Sequence, residues 1–179
     1  MTLHLFSASD EPRGGAIVSS CCRYRYQLWR RWGDGPIATV LGINPSTADA
    51  FKEDATTRKL RGFGERLGWD GYMLLNPFAL KATDQRGLLD ADDPVGPEND
   101  VWLARAFEAS ALILCAWGPA KTTAVRRLLD ARLRAMAPLF AGRELWCLGT
   151  SQDGSPRHPL MLPYATPVQR WLLPAPTMA

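Results

Sequence analysis

Three residues combine a side chain able to act on a ligand with a setting that would aim it: Asn44 in "GINPS", Asn76 in "LLNPF" and His158 in "SPRHPLM". Each asparagine closes an apolar run and directly precedes proline, which biases it towards extended backbone and removes the next N–H donor. An amide held in this way can orient a water or read the edge of a base. The alternative is an ordinary turn-forming asparagine. His158 has Pro156 two residues before it and Pro159 directly after it. A loop stiffened on both sides can present the imidazole as a hydrogen-bond donor or general acid, or hold it as a purely structural group.

The loop that begins at Asn44 continues through Pro45, Ser46 and Thr47 to the acidic residues Asp49, Glu53 and Asp54. Such carboxylates can bind a divalent cation or activate water, and they can equally favour the positive end of a following helix. The second reading suits Glu53 and the first suits Asp54. Lys121, Thr122 and Thr123 follow "WGPA" at another expected helix start, a possible anion site, although the GxxxxGK[ST] spacing of a P-loop is absent. Trp117 could stack on a ring or simply pack. With Phe78 and Arg157, which border the Asn76 and His158 motifs, these residues make up the expected binding set.

These groups can meet only if the chain places them at one edge. Four short, nearly continuous apolar runs, 37–43, 72–78, 111–117 and 144–150, are each closed by or run into Gly, Asn or Pro. Such runs suit strands buried on both faces of a parallel sheet. Between them lie helical patterns. One has Leu60, Phe63 and Leu67 on a face, with Thr56 as cap and Gly68 as stop. A second has Pro97 at the first helical position. A third places Val125, Leu128, Leu129, Leu133 and Met136 at core spacing. Strand and helix alternate, which predicts an α/β/α three-layer sandwich with a mainly parallel four-stranded sheet. The stretch "CRYRYQLWRRW" is expected to add an antiparallel strand or hairpin at one edge. In such sheets ligands bind beyond the carboxyl ends of the strands, where all four polar loops fall.

Composition narrows the classes. With 46% hydrophobic and 22% charged residues, 179 residues suffice for one domain with a substantial core, taken as about 20–163 with a Pro-rich tail at 163–179. No apolar stretch approaches the ~18 residues of a membrane span, and Asp10, Glu11 and Arg13 interrupt the start where a signal peptide needs an apolar segment. A cytoplasmic protein with no membrane partner is expected. The net charge of +3 permits a nucleic acid or nucleotide partner without arguing for one, and Arg23, Arg25, Arg30 and Arg31 read as a solvated strand face. Cys21, Cys22, Cys115 and Cys147 lack metal-type spacing and are expected to be reduced and structural. No cofactor is expected, and the oligomeric state is open.

Three of the motifs carry a resemblance. "GINPS" resembles the GINPG motif of the mismatch-specific branch of the uracil-DNA glycosylase superfamily, "MLLNPF" is similar to the strand-ending LLLN of the uracil-specific branch, and "SPRHPLML" is similar to the superfamily's HPSPLS motif. The resemblance implies a uracil-DNA-glycosylase-like fold, with Asn44 positioning water, Asn76 recognising the base and His158 donating to the base oxygen. Ser46 stands where the first motif has glycine, and "HPLM" lacks the serine of the second. Over nearly its whole length, from "RYRYQLWRRW" through "NPSTAD" and "DPVGPEND" to "DGSPRHPL", the chain resembles an uncharacterised bacterial and phage family of unknown function.

Three functions therefore stand as expectations: an N-glycosidase-type hydrolase acting on a base in DNA or a nucleotide, a non-catalytic module that binds a nucleotide or modified base, and a metal-dependent phosphoester hydrolase using Asp49, Asp54 and His158.

Overall fold

The computed structural model of the chain describes residues 14–46 and 54–173. Its framework is a mixed sheet of seven strands in the order β1-β2-β4-β3-β5-β6-β7. These are β1 (Gly14–Val18), β2 (Arg25–Arg31), β3 (Ile37–Leu41), β4 (Gly71–Leu75), β5 (Leu112–Cys115), β6 (Leu145–Cys147) and β7 (Gln169–Trp171). The four apolar runs supply β4, β3, β5 and β6, which pair in parallel and form the centre. The sheet has seven strands: the expected four parallel ones, the expected antiparallel hairpin at one edge and one further strand at the other. The β1–β2 hairpin pairs antiparallel against β4 at one edge, and β7 pairs antiparallel with β6 at the other.

The central strands read as continuous apolar runs because both of their faces are covered. Ala38 and Val40 of β3, with Leu114 of β5, pack against Leu60 and Phe63 of α1 (Ala55–Leu67). Leu41 of β3 and Ile113 and Cys115 of β5 face the other way. They meet Leu103, Ala106 and Phe107 of α2 (Asn99–Ala109), Val125, Leu129 and Leu133 of α3 (Thr123–Ala135) and Phe140 of the short α4 (Ala137–Phe140). Helices therefore lie on both faces of the sheet. Phe63 and Phe107 are at most 1% exposed, and each contributes roughly 1.5–3 kcal/mol through burial.

Two helix starts differ from the sequence expectation. Asp54, not Thr56, caps α1: its carboxylate accepts from Thr57 N–H at 2.7 Å, and Asp54 N–H donates to Thr57 Oγ1 at 2.9 Å. This reciprocal pair satisfies two donors at once, which a threonine at 56 would not do. Gly68 ends the helix in the left-handed conformation, φ 78°, as its sequence position predicts. α2 begins at Asn99 rather than at Pro97. The delay comes from Asp93, whose carboxylate accepts from the N–H groups of Val95 and Gly96 and so builds a turn before the helix can start. Among the described residues, no helix is long and apolar enough to cross a membrane.

Candidate functional site

In the strand order β4-β3-β5, successive connections leave β3 in opposite directions, and this is where open sheets form a crevice beyond their carboxyl ends. A cavity of about 190 Å³ lies there. Its walls include Gly42, Ile43, Asn44 and Ser46 from the end of β3, Leu74 and Asn76 from β4, and Trp117 from the end of β5. Arg25 and Leu28 of β2, Asp54, Thr56 and Thr57 at the start of α1, Gln85 and His158 complete it. The volume is below the ~300 Å³ at which drug-sized pockets begin, so it suits a small ligand.

The two Asn-Pro corners are laced together. Ala82 N–H donates to the Pro45 carbonyl at 3.1 Å, Phe78 N–H donates to the Ile43 carbonyl at 3.2 Å, and Asn44 Nδ2 donates to the Ala82 carbonyl at 2.7 Å. Asn44 thus spends its N–H₂ on the Ala82 carbonyl and, at 3.2 Å, on the Pro45 carbonyl. Asn76 differs. It is 3% exposed and lines the cavity, and no described residue hydrogen-bonds its side-chain amide. Its backbone, by contrast, is firmly held. Asn99 Nδ2 donates to both the Asn76 and Pro77 carbonyls at 3.0 Å, and Arg132 Nε donates to the Pro77 carbonyl at 2.9 Å. Arg132 is itself ion-paired with Asp100. The segment "DPVGPEND" therefore has a job in this fold: its Asp93 turn delivers Asn99 to the back of the Asn76-Pro77 corner.

Gly42 sets the floor. A Cβ at this position would stand 2.5 Å from Asn76 Oδ1, so only glycine lets that amide lie across the end of β3.

His158 takes extended backbone before Pro159, φ −72° and ψ 133°, and its Nδ1 accepts from Leu160 N–H at 3.3 Å to cap a 3₁₀ turn over Pro159–Met161. A neutral ring accepting at Nδ1 carries its proton on Nε2, which is thereby a donor. Burial of the ring lowers its pKa from 6.5, opposed by the carboxylate charge of Asp54. With the folded pKa depressed, the unfolded chain binds the extra proton first. The stability that the neutral ring contributes is present above the ordinary value of 6.5 and is lost as pH falls from there towards the folded pKa. Thermal melts of the wild type between pH 7.5 and 5 are expected to show a drop that is reduced in His158→Gln.

Arg25 departs from its sequence reading. It is 6% exposed rather than on a solvated face, and burial lowers its pKa, with the Asp54 charge acting in the opposite sense. The remaining ring of the cavity is structural. Trp117 packs edge-on against Trp171 of β7 at 5.1 Å, so its ring is fixed as a wall.

Other expected residues stand elsewhere. Phe78 is 1% exposed in the apolar core, because Pro77 turns the chain inward after Asn76. Pro45 is buried behind the wall, with its carbonyl engaged by Ala82. Lys121 is held by Asp84 at 3.6 Å, and Thr122 caps α3 by accepting from Val125 N–H, so neither reaches the cavity. Arg157 is exposed, with its N–H donating to the Gly149 carbonyl at 2.9 Å. Thr47, Asp49 and Glu53 lie outside the described residues. Among the described residues, no three His, Cys, Asp or Glu side chains gather closely enough to share a metal ion.

Sequence reasoning missed Arg25, Gln85, Gly42, Thr56 and Thr57. The tyrosines flanking Arg25 in "RYRY" signal a strand with two faces, but nothing local says that its polar face will be roofed. Gln85 enters only because Lys121 N–H donates to its Oε1 at 3.0 Å, a contact 36 residues apart.

Residues 25–160 match a family described as "Protein of unknown function (DUF1643)". The chain belongs to this family. The match runs from Arg25 in the cavity wall to Leu160, just past His158, and so spans every described wall residue of the cavity. No curated protein and no solved structure matches the chain.

Proposed function

We propose that the cavity holds a single nucleobase and that the protein is an N-glycosidase-type hydrolase of a base in DNA or a nucleotide, built on a uracil-DNA-glycosylase-like domain. One observation carries the reading: the Asn76 amide, 3% exposed, lines the cavity without a hydrogen bond to any described residue. A hydrogen bond to such an amide contributes about 0.5–1.5 kcal/mol. A carboxamide sets a donor beside an acceptor, so the ligand that meets both is a flat ring with an acceptor beside a donor on its edge. Nucleobases have such edges. The three motifs similar to those of the glycosylase superfamily all end at this cavity, which supports the fold and the chemistry together.

The reaction asks little of the chain beyond placement and charge. Water attacks C1′ as the bond from C1′ to the base nitrogen breaks, and the electron pair leaves with the base. His158 donates Nε2–H to the ring oxygen on which the charge accumulates. Asn44 Oδ1 and the second carboxylate oxygen of Asp54 orient the water, and its proton passes to Asp54 or to solvent. Arg25 adds positive charge to a wall that faces a departing anion.

A second reading, binding without turnover, is favoured by the commitment of Asn44 Nδ2 to Ala82 and of one Asp54 oxygen to Thr57 N–H, which leaves the water-orienting half with fewer free groups than the base-reading half.

A thermal-shift panel of nucleobases, nucleosides, nucleotides and base-modified oligonucleotides, followed by an assay for released base, tests both readings. Stabilisation with release supports the hydrolase, and stabilisation without release supports the binding module. No stabilisation by any base-bearing compound would remove both. Gly42→Ala is expected to push the Asn76 amide out of place and weaken binding of the best compound about tenfold, ~1.4 kcal/mol, as read by titration calorimetry, while leaving the circular dichroism spectrum unchanged.

A further inference from the structure

The tip of the β1–β2 hairpin carries two adjacent thiols, Cys21 and Cys22, and both are exposed. The tip is a closed turn. Cys22 N–H donates to the Ser19 carbonyl at 2.9 Å, Ser19 N–H donates to the Tyr24 carbonyl at 3.0 Å, and Tyr24 N–H donates to Ser19 Oγ at 3.1 Å. Cys22 sits at φ 59°, and among the described residues it is the one non-glycine residue with positive φ. Glycine or asparagine fills such a position with less strain. A thiol therefore stands where the backbone alone favours another residue. Ser19 Oγ lies 3.3 Å from Cys21 Sγ, in reach to donate to a thiolate. That hydrogen bond, followed by the Arg23 backbone, lowers the Cys21 pKa, whereas burial raises those of Cys115 and Cys147. The four cysteines thus divide into two buried in the core and two exposed at the hairpin tip.

We propose that Cys21 and Cys22 form a reversible thiol–disulfide exchange site for low-molecular-weight disulfides of the glutathione class, with Cys21 the attacking sulfur and Cys22 the resolving one. The Cys21 thiolate attacks one sulfur of the small disulfide. A mixed disulfide forms, and the other sulfur leaves with the bonding pair and takes a proton from solvent. Cys22 loses its proton to solvent, attacks the Cys21 sulfur and expels the second small thiol. In sum the protein dithiol is oxidised by two electrons and one small disulfide is reduced to two thiols. Adjacent Cα atoms are about 3.8 Å apart, below the ~4.4–6.8 Å usual for disulfides, so the product is strained. Strained, exposed disulfides are the easily reduced ones, and the site resets with excess small thiol.

Intact-mass and peptide mapping of the folded protein treated with oxidised glutathione tests this. The wild type is expected to pass through a single adduct on Cys21 and end two hydrogens lighter, with Cys115 and Cys147 unmodified. Cys22→Gly, which suits φ 59°, is expected to stop at the Cys21 adduct, and Cys21→Ser to react at least about tenfold more slowly at its remaining exposed thiol. Reduced glutathione should return the wild type to its starting mass. Reaction of Cys21 no faster than an unstructured cysteine peptide, a stable adduct on the wild type, or first modification at Cys115 or Cys147 would each overturn the proposal.

Discussion

His158→Ala is expected to lower release of base by about 10²–10³-fold, the usual cost of removing one preorganised donor to developing negative charge. The magnitude follows from position. The Nδ1 acceptor is occupied by Leu160 N–H, so the ring meets the cavity with Nε2–H, and burial keeps that ring neutral at physiological pH. A neutral donor already in place needs no reorganisation as charge builds on the base. The substitution removes one main-chain hydrogen bond at an exposed 3₁₀ turn, so the melting temperature is expected to fall by only a few degrees, roughly 1 kcal/mol. Single-turnover kinetics on the best compound of the panel check it. Equal rates for His158→Ala and wild type would assign the histidine to capping the turn and nothing more.

Asn99→Ala is expected to have the largest effect on stability, about 2–4 kcal/mol or roughly 5–15 °C in melting temperature. Asn99 is fully buried, and its Nδ2 is the donor shared by the Asn76 and Pro77 carbonyls. Alanine leaves the Asn76 carbonyl without that donor and loosens the corner that aims the Asn76 amide. Arg132 still holds Pro77, so the fold survives while the corner gains freedom. Affinity for a base is expected to fall with stability in this variant, whereas Asn76→Ala is expected to lose affinity with little loss of stability. Differential scanning calorimetry with titration separates the two. A melting temperature for Asn99→Ala within a degree of the wild type would contradict the account of the corner.

Much of the framework was legible because burial on both faces leaves a local mark. β3 and β5 are covered above and below, and the sequence answers with nearly continuous apolar residues, Thr39 the exception, whatever the helices between them are doing. β7 left no such mark. It has three residues at an edge, and Trp171 is placed by long-range contacts, edge-on to Trp117 and with its indole N–H on the Gly154 carbonyl. Helix starts were misjudged where distant or reciprocal bonds decide them: Thr57 returns the bond of Asp54, and the Asp93 turn postpones α2. In the cavity, Asn44, Asn76 and His158 line one space because strand ends converge by topology, and strand ends can be read from the sequence. Phe78, Lys121 and Arg157 neighbour wall residues in the sequence but are held elsewhere: Phe78 in the core after Pro77, Lys121 by Asp84, and Arg157 with its N–H on the Gly149 carbonyl. Arg25 shows the converse. A charge on an edge-strand pattern reads as solvated, yet Arg25 is buried and lines the cavity with the end of β3 and the start of α1.

The most direct measurement is a titration of the ¹⁵N-labelled protein with the best-stabilising base or nucleoside, following the side-chain resonances of Asn76, Asn44 and His158. The account predicts saturable shifts of the Asn76 Nδ2 protons and of the His158 Nε2 signal at one common affinity, absent in Asn76→Ala. A ligand that binds while leaving the Asn76 amide unmoved would contradict it.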